Sequence, residues 1–237
     1  MPDTACWPSI RGEVIRVTKL DSCGAVVYGP KSQLVTDGFV KVSLSPQYED
    51  GERTRLRKAN GKFWLNDKAK DEMVGFNAEV NVTGVNPDLW NMFTAQPVIL
   101  DHLGNAVGAR FDGDAPDSNF AIEVWSNIVG GDACAAGVEP FGYFVLPFCS
   151  GGKLSDFAIE AAAADFTLST ETKENPQWGT GPYDVTLNPP VPPATEAAPG
   201  PLLTPFGPKG YFDMFQTLVP PPAVPVGCGA FALTESP

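Results

Sequence analysis

The stretch EMVGFNAEVNV, residues 72–82, decides the fold class. Val74, Phe76, Ala78, Val80 and Val82 fall on alternate positions, with Met73, Gly75, Asn77, Glu79 and Asn81 between them. Successive side chains of an extended chain point to opposite faces, so this alternation predicts a strand with one buried and one wet face. Similar patterns extend outward in both directions. Residues 12–20 place Val14, Arg16 and Thr18 opposite Ile15, Val17 and Lys19. Residues 36–44 place Gly38, Val40, Val42 and Leu44 opposite Phe39, Lys41 and Ser43. Residues 60–66 put Phe63 and Leu65 on one face, and residues 120–128 and 141–148 read as two further strands. One short helix is expected at PDLWNMFT, residues 87–94, where Pro87 falls in the first turn. The stretch DFAIEAAAADFTLSTET, residues 156–172, has two readings. Its Ala run favours a helix, while its flanks alternate and change phase within the run, as in a bulged strand. The expectation is a mainly β protein.

Composition supports this. Gly and Pro supply 24 residues each of 237, well above the usual joint share of roughly 12%. Both weaken helix interiors, which disfavours a helical bundle. Prolines concentrate at the end: 13 of the 24 lie in residues 186–237. The chain therefore divides into residues 1–185, which carry the alternating segments, and a Pro-rich C-terminal arm, residues 186–237. That arm also holds Leu202, Leu203, Phe206, Tyr211, Phe212, Met214 and Phe215. It reads either as an arm lying on another surface or as a loosely ordered tail.

Sixteen Lys and Arg against 28 Asp and Glu give a net charge of −12. Tight nucleic-acid binding needs clustered cations to displace counterions, so a gripping role on DNA is disfavoured. No run approaches the roughly 18 apolar residues of a membrane span, and no signal peptide is visible at the N-terminus. The cysteines (Cys6, Cys23, Cys134, Cys149 and Cys228) are odd in number and form no CxxC, which points to a reducing assembly compartment rather than a disulfide scaffold.

Signals for catalysis are sparse. His102 is the single histidine, which excludes multi-His metal sites and weakens a His-based triad. There is no GxSxG, Walker loop or dinucleotide fingerprint. Asp112, Asp114 and Asp117 form an oxygen-rich run without EF-hand spacing or its terminal Glu. Cys134 has no histidine partner nearby in the sequence. No enzyme, cofactor or metal is expected. The most unusual feature is the loop QYEDGERTRLRKA, residues 47–59. There Glu49, Asp50 and Glu52 precede Arg53, Arg55, Arg57 and Lys58, the three arginines on alternate residues. By pattern alone it reads as a solvated hairpin tip. It is also self-complementary between copies of the chain, and repeated head-to-tail contacts build rings or open filaments.

A family resemblance rests on blocks kept in one linear order. These are GEVIRVTKLDSCG (12–24), VTDGFVKVSLSP (35–46), KANGKFWLND (58–67), GVNPDLWNMFT (84–94), FAIEVWSNIVGG (120–131), GYFVLPFCSGGKLSDFAIE (142–160) and WGTGPYDV (178–185). Across about residues 1–215 the chain resembles the major tail proteins, or tail tube proteins, of long flexible-tailed bacteriophages of the actinobacteriophage type. The resemblance implies a β-sandwich that curls toward a barrel with one short flanking helix. Subunits of that family form hexameric rings that stack into a tube, each contributing strands to an inner β-barrel. It implies that the 47–59 loop bridges to the adjacent ring. The expected partners are copies of the chain, other tail proteins (tape measure, tail terminator and distal tail protein) and genomic DNA, which passes through an acidic lumen without tight binding. The expected location is the virion, after assembly in the host cytoplasm, with no membrane involved. The wet rows Lys41, Ser43, Ser45 and Asn77, Glu79, Asn81 are the lumen-facing candidates. The alternative reading is a monomeric β-sandwich module for carbohydrate or a receptor, with Trp7, Trp64, Trp90, Trp125 and Trp178 supplying stacking surfaces.

Overall fold

A computed structural model describes residues 9–84, 86–128, 140–155, 157, 165–191, 193, 195–226 and 229–235. Among these the chain is mainly β, with one short helix. The first half holds β1 (Ile10–Lys19), β2 (Gly29–Thr36), β3 (Phe39–Glu49), β4 (Arg53–Arg57), β5 (Phe63–Lys68), β6 (Glu72–Thr83), α1 (Pro87–Thr94), β7 (Val98–Leu100) and β8 (Ala106–Ala109). The second half holds β9 (Asn119–Ile128), β10 (Phe141–Leu154), β11 (Asp165–Thr172), β12 (Thr186–Asn188), β13 (Ala198–Gly200), β14 (Asp213–Thr217) and β15 (Phe231–Leu233). Nine strands make one antiparallel sheet in the order β15-β2-β1-β9-β10-β11-β6-β3. β14 pairs with the first part of β10, and β11 pairs further along it. The pairs β4–β5, β7–β8 and β12–β13 are separate two-stranded ribbons.

The sheet bends over on itself. Ile15, Val17 and Leu34 from one half meet Ala78, Val80, Val82, Phe166 and Leu168 from the other in one buried cluster. Two facing halves of a sheet with interleaved apolar rows make a sandwich-like core. It does not close into a barrel, because β15 and β3 end the strand path. The helix α1 enters the same cluster through Leu89, Trp90, Met92 and Phe93. It begins where the Asn86 side chain accepts a hydrogen bond from the Leu89 amide at 3.2 Å, with Pro87 following. It ends at Ala95, whose φ of 53° is left-handed and whose amide donates to the Asn91 carbonyl.

The central strands are buried on both faces. Leu20, Ala121, Trp125, Tyr143, Val145 and Phe148 form a second cluster on the outer face, covered by Trp178, Val185, Leu202 and Phe206. The Pro-rich segment thus lies on the chain's own sheet and adds β14 and β15 to it. A buried polar network fastens this layer. The Arg16 guanidinium donates to both carboxylate oxygens of Glu123, at 2.8 and 2.7 Å, and the Tyr143 hydroxyl donates to Glu123 at 2.5 Å. The Tyr183 ring lies 3.3 Å from the guanidinium carbon, and its hydroxyl hydrogen-bonds Thr18 at 2.6 Å. Burial opposes the charge on Arg16, and Glu123 beside it outweighs that and holds the pKa above its usual value. Burial and the Glu123 charge push the Tyr143 phenol well above its usual range.

Three local expectations change in the structure. The 36–44 alternation breaks at a bulge between Phe39 and Lys41. Phe39 therefore packs on the core with Val42 and Leu44, while Val40 is exposed. An extra residue in one strand shifts which side chains point inward, and sequence alternation does not register it. Phe63 and Leu65 do lie on a strand, but no core lies beneath it, and all six residues of β5 are exposed. The expected 47–59 loop is the end of β3 followed by a strand, β4, with the turn only after Arg57. In the 156–172 stretch, residues 165–172 form β11, while the Ala run lies outside the described residues, as do Trp7 and Cys134.

Candidate assembly surfaces

The polar face of the sheet is built by register. β6 pairs with β3 on one side and β11 on the other, which aligns Lys41 with Asn81, Ser43 with Glu79 and Ser45 with Asn77. The same three β6 residues align with Thr167, Ser169 and Glu171 of β11. Ala78, Val80 and Val82 take the core side, so these polar side chains share the outer face. Lys41, Ser45, Asn77 and Glu79 are exposed, and Ser43 and Asn81 are half-buried. The Asn81 amide donates to Thr167 at 3.3 Å. The face is charge-balanced: a shallow depression there brings Glu79 and Glu171 together with Lys153, and Lys41 stands in the adjoining row.

The β4–β5 hairpin carries the charged residues singled out from the sequence. At its base Lys68 pairs with Asp71 at 2.7 Å and with Asp50 at 3.3 Å, and the Gly51 amide donates to Asp71 at 2.9 Å. The Lys68 hydrogen bond, helped by the Gly51 amide, holds the Asp71 carboxyl below its usual pKa. Glu49 ends β3, and the Glu52 carbonyl accepts from the Ala69 amide, which closes the base. Beyond it the hairpin is basic. Residues 53–68 hold six of the 16 Lys and Arg but one of the 28 acidic residues, which leaves +5 on the hairpin and −17 on the rest of the chain. Arg53 and Arg55 are registered opposite Lys68 and Asn66 on one face, and the Arg53 side chain reaches Asn66 at 3.1 Å.

The hairpin also carries uncovered apolar side chains. Leu56 is registered opposite Leu65 on the face away from Arg53 and Arg55, and a bulge beside this pair brings Phe63 opposite Arg57. Leu56 is 54% exposed and Trp64 72% exposed. The Arg57 guanidinium lies 4.4 Å from the Phe63 ring centre and the Lys58 ammonium 4.6 Å from that of Trp64. These cations rest on the aromatic faces that would otherwise meet only water. Sequence reading missed the exposed apolar groups of this arm, because Phe63 and Leu65 are spaced as core residues are, and the bulge that separates them leaves no trace in that spacing. The one available signal was the density of cations around them.

A cleft of about 500 Å³ opens between β1 and β3, lined chiefly by Phe39, Val42, Leu44, Phe144, Leu146 and Phe212, with Arg11 and Lys41 also in its wall. Of the four described tryptophans only Trp64 is exposed; Trp90, Trp125 and Trp178 are buried in the cores. Asp112, Asp114 and Asp117 are exposed, and among the described residues no group of His, Cys, Asp or Glu is arranged to hold a metal ion. His102 lies exposed in the β7–β8 turn. No described helix is long and apolar enough to cross a membrane. No protein-family model matches the chain, and no curated protein is significantly similar to it.

Proposed function

We propose that this chain is a structural virion protein, the subunit of hexameric rings that stack into a bacteriophage tail tube through which genomic DNA is ejected. One observation carries the reading. A hairpin of charge +5 with uncovered apolar side chains projects from a body of charge −17. A single exposed ion pair contributes only about 0–1 kcal/mol, so such an arm is weak as a solitary contact. Repeated six times around a ring it becomes multivalent, and the second and later contacts form at high effective concentration. The partner best matched in charge is another copy of the same chain.

The polar face of β3, β6 and β11 supports a role as lumen wall. It bears Asn77, Glu79 and Asn81, and its cations are offset by carboxylates, so it offers no cationic surface on which phosphates would stall. In the ring these strands join those of neighbouring subunits in the inner barrel, which covers the open β3 edge. The tape measure, tail terminator and distal tail proteins are the other partners, and the role calls for no cofactor, catalysis or membrane. The rival reading, a monomeric carbohydrate- or receptor-binding module, has the apolar cleft in its favour, but that lining contains no tryptophan platform.

Size-exclusion chromatography and negative-stain microscopy of the purified chain test this. Six-fold rings or tubes are expected. A persistent monomer that binds glycan would establish the rival. Reversing Arg53, Arg55 and Arg57 together to Glu should shorten or abolish tubes while the monomer stays folded. Tubes of normal length from that variant refute electrostatic stacking.

A further inference from the structure

We propose that the seat of the β4–β5 hairpin is the β7–β8 hairpin and the loop after it on a second copy of the chain, an inference that rests on the stacking role above. The β7–β8 ribbon lies against α1, and its outer side is uncovered. Ile99, Leu100, Leu103, Val107 and Phe111 are all exposed, Leu103 by 73%. Five large apolar side chains are thus exposed within thirteen residues, Phe111 with part of its ring on Trp90, and exposed apolar groups gathered in this way mark interaction sites. Within one chain the two ribbons make no extensive contact with each other, and the apolar side chains of both stay exposed.

The charges match the occupant. Residues 98–117 contain Asp101, Asp112, Asp114 and Asp117 against Arg110 alone, a net −3 facing the +5 of the hairpin. None of these four carboxylates takes part in a salt bridge among the described residues. Asp101 is occupied in its own turn, where it accepts from the Leu103 and Asn105 amides at 2.8 Å. Asp112 accepts from the Asp114 amide at 3.2 Å, a longer bond, and with Asp114 and Asp117 it supplies the attracting charge. Their loop is pinned to the end of α1. The Asp112 amide donates to the Gln96 side-chain oxygen at 2.9 Å, and the Gln96 side-chain amide donates to the Asp112 carbonyl at 3.1 Å. A held loop costs less ordering entropy on docking than a free one.

A second apolar surface, the β1–β3 cleft, fits less well. Arg11 and Lys41 in its wall have the same sign as Arg53, Arg55, Arg57 and Lys58. Like charges brought together at an interface oppose association. A contact between two different patches of the same chain is heterologous, so it propagates from subunit to subunit instead of stopping at a dimer.

The test is a charge-swap cycle on the full chain. Arg53, Arg55 and Arg57 are changed to Glu, Asp112, Asp114 and Asp117 to Lys, and the two sets are then combined. Sedimentation and negative stain read the assembled fraction, and circular dichroism confirms that each variant is folded. Each triple variant should lower the assembled fraction by about tenfold or more, since the loss repeats at every copy in a ring. The combined variant should recover tubes. An acidic-loop variant that assembles like wild type, or a combined variant as inactive as the two triples, overturns the seat. Should the acidic-loop variant alone assemble normally while the arginine variant fails, the stacking hairpin stands and only its seat is wrong. Wild-type chain that forms no higher oligomer takes both readings down together. Leu103→Asp, a substitution at a site exposed in the monomer, gives a second arm that leaves the carboxylates in place, and it too should cut assembly.

Discussion

Glu123→Gln should be among the most damaging near-isosteric changes in this chain. Glu123 is 1% exposed and holds the buried Arg16 through two hydrogen bonds of 2.8 and 2.7 Å. Gln keeps the volume and can still accept from Tyr143, but it removes the negative charge. The Arg16 guanidinium is then a buried cation without a counter-charge, at a cost of about 3–5 kcal/mol. For a domain of this size each kcal/mol moves the melting temperature by roughly 2–4 °C, so a fall of about 6–20 °C is expected. Urea unfolding followed by tryptophan fluorescence should show a lower midpoint with an unchanged slope. The triple variant Arg16→Met, Glu123→Met, Tyr143→Phe removes both charges and the hydroxyl together. It should recover most of the loss, because a well-packed apolar replacement of a buried ion pair is often neutral or better. A Glu123→Gln protein within about 1 kcal/mol of wild type would refute the claim that Arg16 is charged and paired only through Glu123.

Ala95→Gly should stabilise the chain by about 0.5–1 kcal/mol, since Ala95 sits at φ 53° and glycine takes that conformation without a Cβ penalty; a lower urea midpoint counts against this. Gly152→Ala should destabilise by about 3 kcal/mol or prevent folding, because the added Cβ would lie 1.8 Å from the Phe93 carbonyl oxygen; a normal melting curve would contradict the packing described. Asp71 should titrate below an ordinary aspartate when followed by NMR, and Lys68→Ala should raise its midpoint. Its lowered pKa means that its contribution to holding the hairpin base is complete above the ordinary carboxylate range and is lost as pH falls through the lowered value. Trp64→Ala should leave the unfolding free energy within about 0.5 kcal/mol of wild type while reducing assembly, since the side chain is exposed in the monomer; an equal loss of stability and assembly would mean a structural role instead.

The tail-tube resemblance reads the 47–59 segment as a bridging loop; in the structure residues 47–49 end β3 in the main sheet, and residues 53–57 form one strand of the exposed hairpin. Its charge was legible because charge is a property of residue type. Its exposed apolar side chains were not, because Phe63 and Leu65 are spaced in the same way whether or not anything packs on them. The Pro-rich segment was similarly opaque. Polyproline-rich composition argues against a self-contained core, yet Leu202 and Phe206 are buried by a sheet formed from residues far upstream.

By itself the sequence determined the β class, the helix at 87–94 and the wet row Asn77, Glu79, Asn81. Each of these is a local pattern of period 2 or 3.6 set by backbone geometry, with a cap or proline to end it. Only the tertiary structure decided which apolar faces find partners. Ala121, Trp125 and Tyr143 are buried beneath the C-terminal layer, whereas Leu56, Trp64 and Leu103 stay open to solvent. Burial depends on contacts between segments separated by up to two hundred residues, and no local periodicity carries that information.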